Sequence, residues 1–155
     1  ISAIKTFTQK VAWENLDIIV VDMPPGTGDT QLTFSQEIKL DGVIIISTSQ
    51  EIALQDVKRG IRMFDKLNVN IIGLVDNMSY FIGDDKKKYP IFGEGAVKKT
   101  SEKHKKEFIN DIPIDPEVGK CGDMGMPIVE KYPNNYISKI YLQIAEKIKL
   151  NYFKV

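Results

Sequence analysis

Three short runs of β-branched apolar residues constrain this chain more than any other feature: Ile18-Ile19-Val20-Val21, Val43–Ser47 and residues 71–75. None alternates polar with apolar, so they read as strands covered on both faces, as in a parallel sheet. A fourth, weaker strand is expected over residues 107–112, closed by Pro113. Between the runs, Leu54, Val57, Ile61, Phe64 and Leu67 recur every three or four residues and put one apolar stripe on a long helix. Ile137, Ile140, Tyr141, Ile144 and Ile148 repeat the pattern near the C-terminus, and residues 2–11, 30–38 and 96–105 also read as helical. Strand–helix–strand alternation with short connections predicts βαβ units, hence an α/β fold with a doubly wound, mainly parallel sheet flanked by helices.

Organisation follows from the same pattern. No internal repeat or linker divides residues 1–155, which read as one domain, and the one long irregular stretch is residues 77–95. Three or four strands are few for a sheet covered on both faces. The chain opens at Ile1 without an initiator methionine. We therefore expect the C-terminal part of a longer domain whose opening strands lie upstream.

Composition removes several function classes. Lys and Arg together equal Asp and Glu at 21 each, so no net field draws the chain to nucleic acid or to an anionic membrane. No apolar run approaches the roughly 20 residues of a membrane span, and no signal or transit peptide is visible. A single cysteine, Cys121, cannot form an internal disulfide, which points to a reducing compartment, cytoplasm or organelle matrix.

The chemistry concentrates at strand ends, where open α/β sheets bind ligands. Leu16-Asp17-Ile18-Ile19-Val20-Val21 runs into Asp22-Met23-Pro24-Pro25-Gly26-Thr27-Gly28-Asp29. An apolar strand that delivers a carboxylate at its tip is the arrangement that holds Mg²⁺, here Asp22 acting through water, because Mg²⁺ keeps much of its hydration shell. Gly26 and Gly28 lack side chains, so their backbone N–H groups can approach a γ-phosphate. The plainer reading makes Asp22 the end of a strand and the prolines and glycines a turn. Asp29 has two compatible readings, as the N-cap of the helix over residues 30–38 or as a group that orients the attacking water. The third strand ends in Asp76-Asn77-Met78-Ser79. The Asn77 amide can give one bond and accept one, matching the N6/N7 edge of adenine, and Pro113 can border the same base. Either residue can equally be a turn element.

These strings carry a resemblance. DMPPGTGD at residues 22–29, then Asn77-Met78-Ser79, Ile91-Phe92-Gly93 and Gly122-Asp123-Met124-Gly125-Met126-Pro127 resemble the Mrp/ApbC ATPases, P-loop proteins linked to iron–sulfur cluster assembly and related to MinD and ParA. Thr48-Ser49-Gln50-Glu51-Ile52-Ala53-Leu54-Gln55-Asp56 is similar to the family's TPQ-xx-AL-xD segment, and the likeness runs in order along the whole chain. It implies a P-loop NTPase fold and a homodimeric, cytosolic ATPase using ATP and Mg²⁺. Asp22 would lie near the metal, Gly26 in a switch loop, Asn77 at adenine and residues 50–56 toward the dimer interface. Iron–sulfur client or scaffold proteins would be its partners.

Two departures temper that picture. The glycine loop KGGxGK(S/T) that cradles phosphates in these ATPases is absent, and its faint echo Gly119-Lys120-Cys121 lacks the following Ser or Thr. This chain alone is therefore expected to bind ATP poorly and not to hydrolyse it. Cluster-carrying members also place Cys-x-x-Cys between the NMS and FG segments, where this chain has no cysteine across residues 80–90. Clusters take four thiolates, so the carrier role rests on kinship, and Cys121 reads as an ordinary thiol in a glycine-rich loop. His104 among Lys103, Lys105 and Lys106, and the run Lys86-Lys87-Lys88, read as solvated surface. Two other readings stay open: a MinD/ParA-like positioning ATPase, and a nucleotide-binding module without turnover.

Overall fold

A strand exists only where a neighbour completes its backbone hydrogen bonds. The computed structural model, which describes residue 6, residues 10–23 and residues 29–152, applies that rule to each expected strand. β1 (Val43–Ser47) pairs in parallel with β2 (Ile71–Ile82), and β2 pairs in parallel on its other side with β4 (Phe108–Ile114). A two-residue strand, β3 (Lys88–Tyr89), folds back antiparallel on the end of β2. The order along the sheet is thus β1, β2, β4, with β3 extending the β2 end.

The helices cover both faces. α1 (Asp29–Glu37) precedes β1, α2 (Glu51–Lys66) links β1 to β2, and α3 (Ala96–Lys103) links the β2–β3 hairpin to β4. After β4 come α4 (Pro116–Asp123), α5 (Ile128–Lys131) and the long α6 (Tyr136–Tyr152). On one face, Leu54, Val57, Ile61 and Phe64 of α2 and Val97 of α3 pack on Ile71 and Leu74. On the other, Ile140, Tyr141, Ile144 and Ile148 of α6 cover Ile72, Val75, Ile109 and Ile112. Fully burying an aliphatic side chain of this size is worth about 1.5–3 kcal/mol, so the two stripes hold the three layers together. Lys147 fixes α6 from the side, its Nζ donating to the Phe108 carbonyl at 3.0 Å and meeting Glu107 at 2.8 Å. A third cluster joins Cys121, Ile128 and Ile137.

The expected elements need four corrections. Residues 16–23 form no strand, and Leu16, Ile18, Ile19, Val20 and Val21 are exposed, Val20 to 90%. The segment has no ladder partner among the described residues, so its apolar character alone does not make it a strand. Pro113 does not close the fourth strand but lies inside β4. That strand pairs only with β2, so its other edge needs no N–H donors there. The stretch expected to be irregular begins with six more residues of strand, because β2 runs to Ile82 and turns into β3. Cys121 lies in α4 and is wholly buried, not in a loop. Most of residues 2–11 lies outside the described residues.

Gly73 lets the sheet close. A Cβ there would stand 2.6 Å from Ile109 Cγ1 and 2.8 Å from the Glu107 carbonyl oxygen, so β4 could not approach β2. The register against β1 also steps here, Val43 facing Ile71 and Ile44 facing Gly73. That extra residue is a bulge, which re-phases the side chains so that Leu74 returns to the α2 face.

Candidate functional site

The carboxyl ends of the parallel strands meet at one edge of the sheet. Ser47, the last residue of β1, is in register with Asp76 on β2, and Asp76 with Asp111 on β4. One step on, Asn77 faces Ile112, so Asn77 and Pro113 occupy adjoining places on neighbouring strands.

Ser49, just past β1, organises this edge. Its Oγ–H donates to Asp76 Oδ2 at 2.6 Å, and the same oxygen accepts the backbone N–H groups of Ala96 and Val97 at 3.0 and 3.3 Å. Those two amides begin α3, whose N-cap is Gly95 with no side chain to offer. Ser49 therefore supplies from a distant turn the cap that α3 lacks locally. Gly93 lets the loop come this close: its φ is +94°, and a Cβ would lie 2.9 Å from the Ser49 carbonyl oxygen. The Thr48-Ser49-Gln50, Asp76-Asn77-Met78-Ser79 and Ile91-Phe92-Gly93 strings, far apart in sequence, thus converge on one residue, Ser49.

Asp76 is 98% buried, being 2% exposed. Burial pushes its carboxyl pKa upward, the Ser49 hydroxyl pulls it down, and Asp111 raises it again. Its Oδ1 accepts no hydrogen bond among the described residues. The carboxylate stands behind the Ser49 hydroxyl at the positive end of α3, where negative charge is favoured. Neither residue was singled out from sequence. A carboxylate at the end of an otherwise apolar buried run was the available signal, because such a group demands a donor.

The backbone breaks stride at Asn77. Met78 takes φ +54°, and its N–H is accepted by Asn77 Oδ1 at 3.1 Å. Ser79 Oγ–H donates to the Ile112 carbonyl at 3.1 Å, and the β2–β4 register shifts between Asn77 and Phe81. A left-handed non-glycine residue costs on the order of 1–3 kcal/mol and is found where surroundings enforce it. Here the enforcing contacts are the Asn77 cap and the Ser79 bond.

The other expected site residues fare differently. Asp22 is exposed in the irregular segment 16–23 and not at a strand tip, which corrects the expectation. Gly26 lies outside the described residues. Asp29 is the first residue of α1, and its side chain is also outside them. Magnesium needs only one or two carboxylates beside water and phosphate oxygens, so a single exposed Asp22 suits that ion. No group of three or more His, Cys, Asp or Glu that could hold a metal occurs among the described residues. An iron–sulfur cluster does not fit this chain's own residues, since the one cysteine is sealed in the α4–α5–α6 cluster. No described helix is long and apolar enough to cross a membrane.

Comparison with known proteins gives consistent matches. A family model described as the NUBPL iron-transfer P-loop NTPase matches residues 1–149. The iron–sulfur cluster carrier protein of Aquifex aeolicus is 42% identical over 145 residues, 93% of this chain and 40% of that protein. The chain thus spans less than half the length of this relative. Among solved structures, a nucleotide-binding protein of Archaeoglobus fulgidus in complex with ADP superposes with a TM-score of 0.74 at 39% identity, over 84% of this chain and 54% of the other. The MinD cell-division ATPase of Pyrococcus furiosus gives 0.56 at 20% identity, over 71% and 43%, a likeness of fold alone.

Proposed function

The chain belongs to the NUBPL iron-transfer P-loop NTPases, and from that membership we propose that it forms the C-terminal part of an ATPase that assists iron–sulfur cluster assembly or transfer. The observation that carries the reading is the convergence of three separate strings on Ser49 at the carboxyl edge of the sheet, beside Asn77 and Pro113. That is where an open α/β sheet receives a nucleotide.

In this reading Asn77 and Pro113 border the adenine. Asp22 holds Mg²⁺ through water, Gly26 offers its backbone N–H to the terminal phosphate, and Asp29 orients the attacking water. The metal, when bound, neutralises charge that builds on the phosphate oxygens. The protein works as a homodimer with residues 50–56 toward the interface, in cytoplasm or an organelle matrix. This chain by itself carries no glycine phosphate loop, so it is inactive on ATP. A cluster is cargo here, and its thiolates come from outside these 155 residues. The matched likeness to MinD extends to the fold only, so a positioning role has no separate support.

Anaerobic reconstitution of the full-length protein with iron and sulfide, followed by transfer to an apo acceptor, tests the reading. Iron and sulfide retained in equal amounts and passed on to the acceptor are expected. A protein that turns over ATP yet retains neither would refute the carrier role.

A further inference from the structure

Ser49 ties together segments that the sequence keeps well apart: its hydroxyl hydrogen-bonds to β2 and to the start of α3, and its carbonyl lies over Gly93. It donates to Asp76 Oδ2 at 2.6 Å and accepts from the Ala96 and Val97 amides at 3.0 and 3.3 Å. Asp76 adjoins Asn77 in β2, and α3 follows directly on the loop whose Gly93 lies under the Ser49 carbonyl. Ser49 and Asp76 are both buried, at 7% and 2% exposure, so water does not compete for these bonds. A hydroxyl that donates to a carboxylate becomes a better acceptor, and bonds linked this way reinforce one another.

We propose that Ser49 and Asp76 are positioning residues that lock the start of α3 and the loop before it to the middle of β2, where β1 ends beside it, so that Asn77 is held in its nucleotide-binding position. The proposal rests on the reading of Asn77 given above and deepens it. Neither residue touches the nucleotide. Their action passes through the backbone: Asp76 sits next to Asn77 in mid-strand, Ser49 ties that point of β2 to α3, and Gly93 allows the approach. The hairpin between β2 and α3 is thereby anchored at both ends to one hydroxyl. A change at Asn77 reaches the hairpin without any contact between the nucleotide and residues 83–92.

The test uses the full-length protein and two readouts, amide hydrogen exchange and ADP titration. Ser49→Ala removes the donor and the acceptor together while deleting only one oxygen. We expect exchange at Ala96 and Val97 to quicken at least about tenfold and the Kd for ADP to rise about tenfold, the scale of a lost hydrogen bond to a charged group. Ser49→Thr restores the hydroxyl and should bring both values back to within about threefold of wild type. Asp76→Asn keeps a carbonyl oxygen to accept from Ser49, so it should behave like Ser49→Thr; it also serves if the alanine variant does not fold. Unchanged exchange in Ser49→Ala would overturn the proposal, as would faster exchange with an unchanged Kd. Wild-type protein that binds no ADP would defeat the ATPase reading instead, and the exchange data would then decide by themselves whether the lock exists.

Discussion

Asp76 combines two features that rarely coexist: nearly complete burial and an oxygen with no hydrogen-bond partner among the described residues. Burial raises its pKa above the ordinary carboxylate value. A raised pKa in the folded state means that the neutral form suits the fold better than the charged one. The contribution of this group is therefore fully favourable below the ordinary carboxylate pKa, and it is lost as pH rises through the elevated folded value. Above that folded value the native protein carries the cost of a charged, desolvated carboxylate. Asp76→Asn removes that cost, still accepts from Ser49, and can turn its amide toward Asp111. We expect the variant to melt higher than wild type at neutral pH, each kcal/mol being worth about 2–4 °C in a chain of this size. The advantage should shrink as pH falls into the carboxylate range, which a series of thermal melts from pH 4 to 8 would show. A wild type that gains stability from acid to neutral pH relative to the variant would contradict the assignment.

Among the elements, Gly73 makes the most direct prediction. Adding a methyl group at this position puts Cβ within 3.0 Å of both a side chain and the Glu107 backbone of the adjoining strand. The backbone cannot swing aside as a flexible side chain can. Gly73→Ala should destabilise the fold by about 1–3 kcal/mol, the usual cost of overpacking, read from the midpoint of urea unfolding. Elements with a strong period were legible from sequence. β1 appears at its expected bounds, and the stripes of α2 and α6 fall on the sheet as their spacing requires. The β2–β3 hairpin was not legible, because Met78 in a left-handed conformation interrupts any strand pattern. α4 was missed although its start was written plainly. Asp115 accepts the Glu117 N–H at 2.8 Å and Pro116 follows it, a helix-opening pair. Gly119 and Gly122, poor helix formers, masked it.

At the scale of the molecule, the apolar surface is unevenly covered. Ile46 on β1 is 62% exposed and Val20 is 90% exposed, although both belong to runs with the character of buried strands. Periodicity reports what a segment is suited to bury. It does not report whether the partner strand is at hand, and so residues 18–21 read as a strand in sequence and stand unpaired in the structure. The candidate site divides along the same line. Asn77 and Pro113 sit on paired strands, where Asn77 faces Ile112. Asp22 sits beyond a run without a ladder partner among the described residues, exposed in the irregular segment 16–23.

The most direct measurement is the rate of ATP hydrolysis by the full-length protein beside its Asp22→Asn variant, with magnesium in excess. The account predicts a fall of at least about a hundredfold in kcat, since the amide cannot neutralise or hold the hydrated metal as the carboxylate does. Equal turnover by the two proteins would mean that Asp22 has no part in the magnesium site, and the placement of the nucleotide at this sheet edge would have to be abandoned.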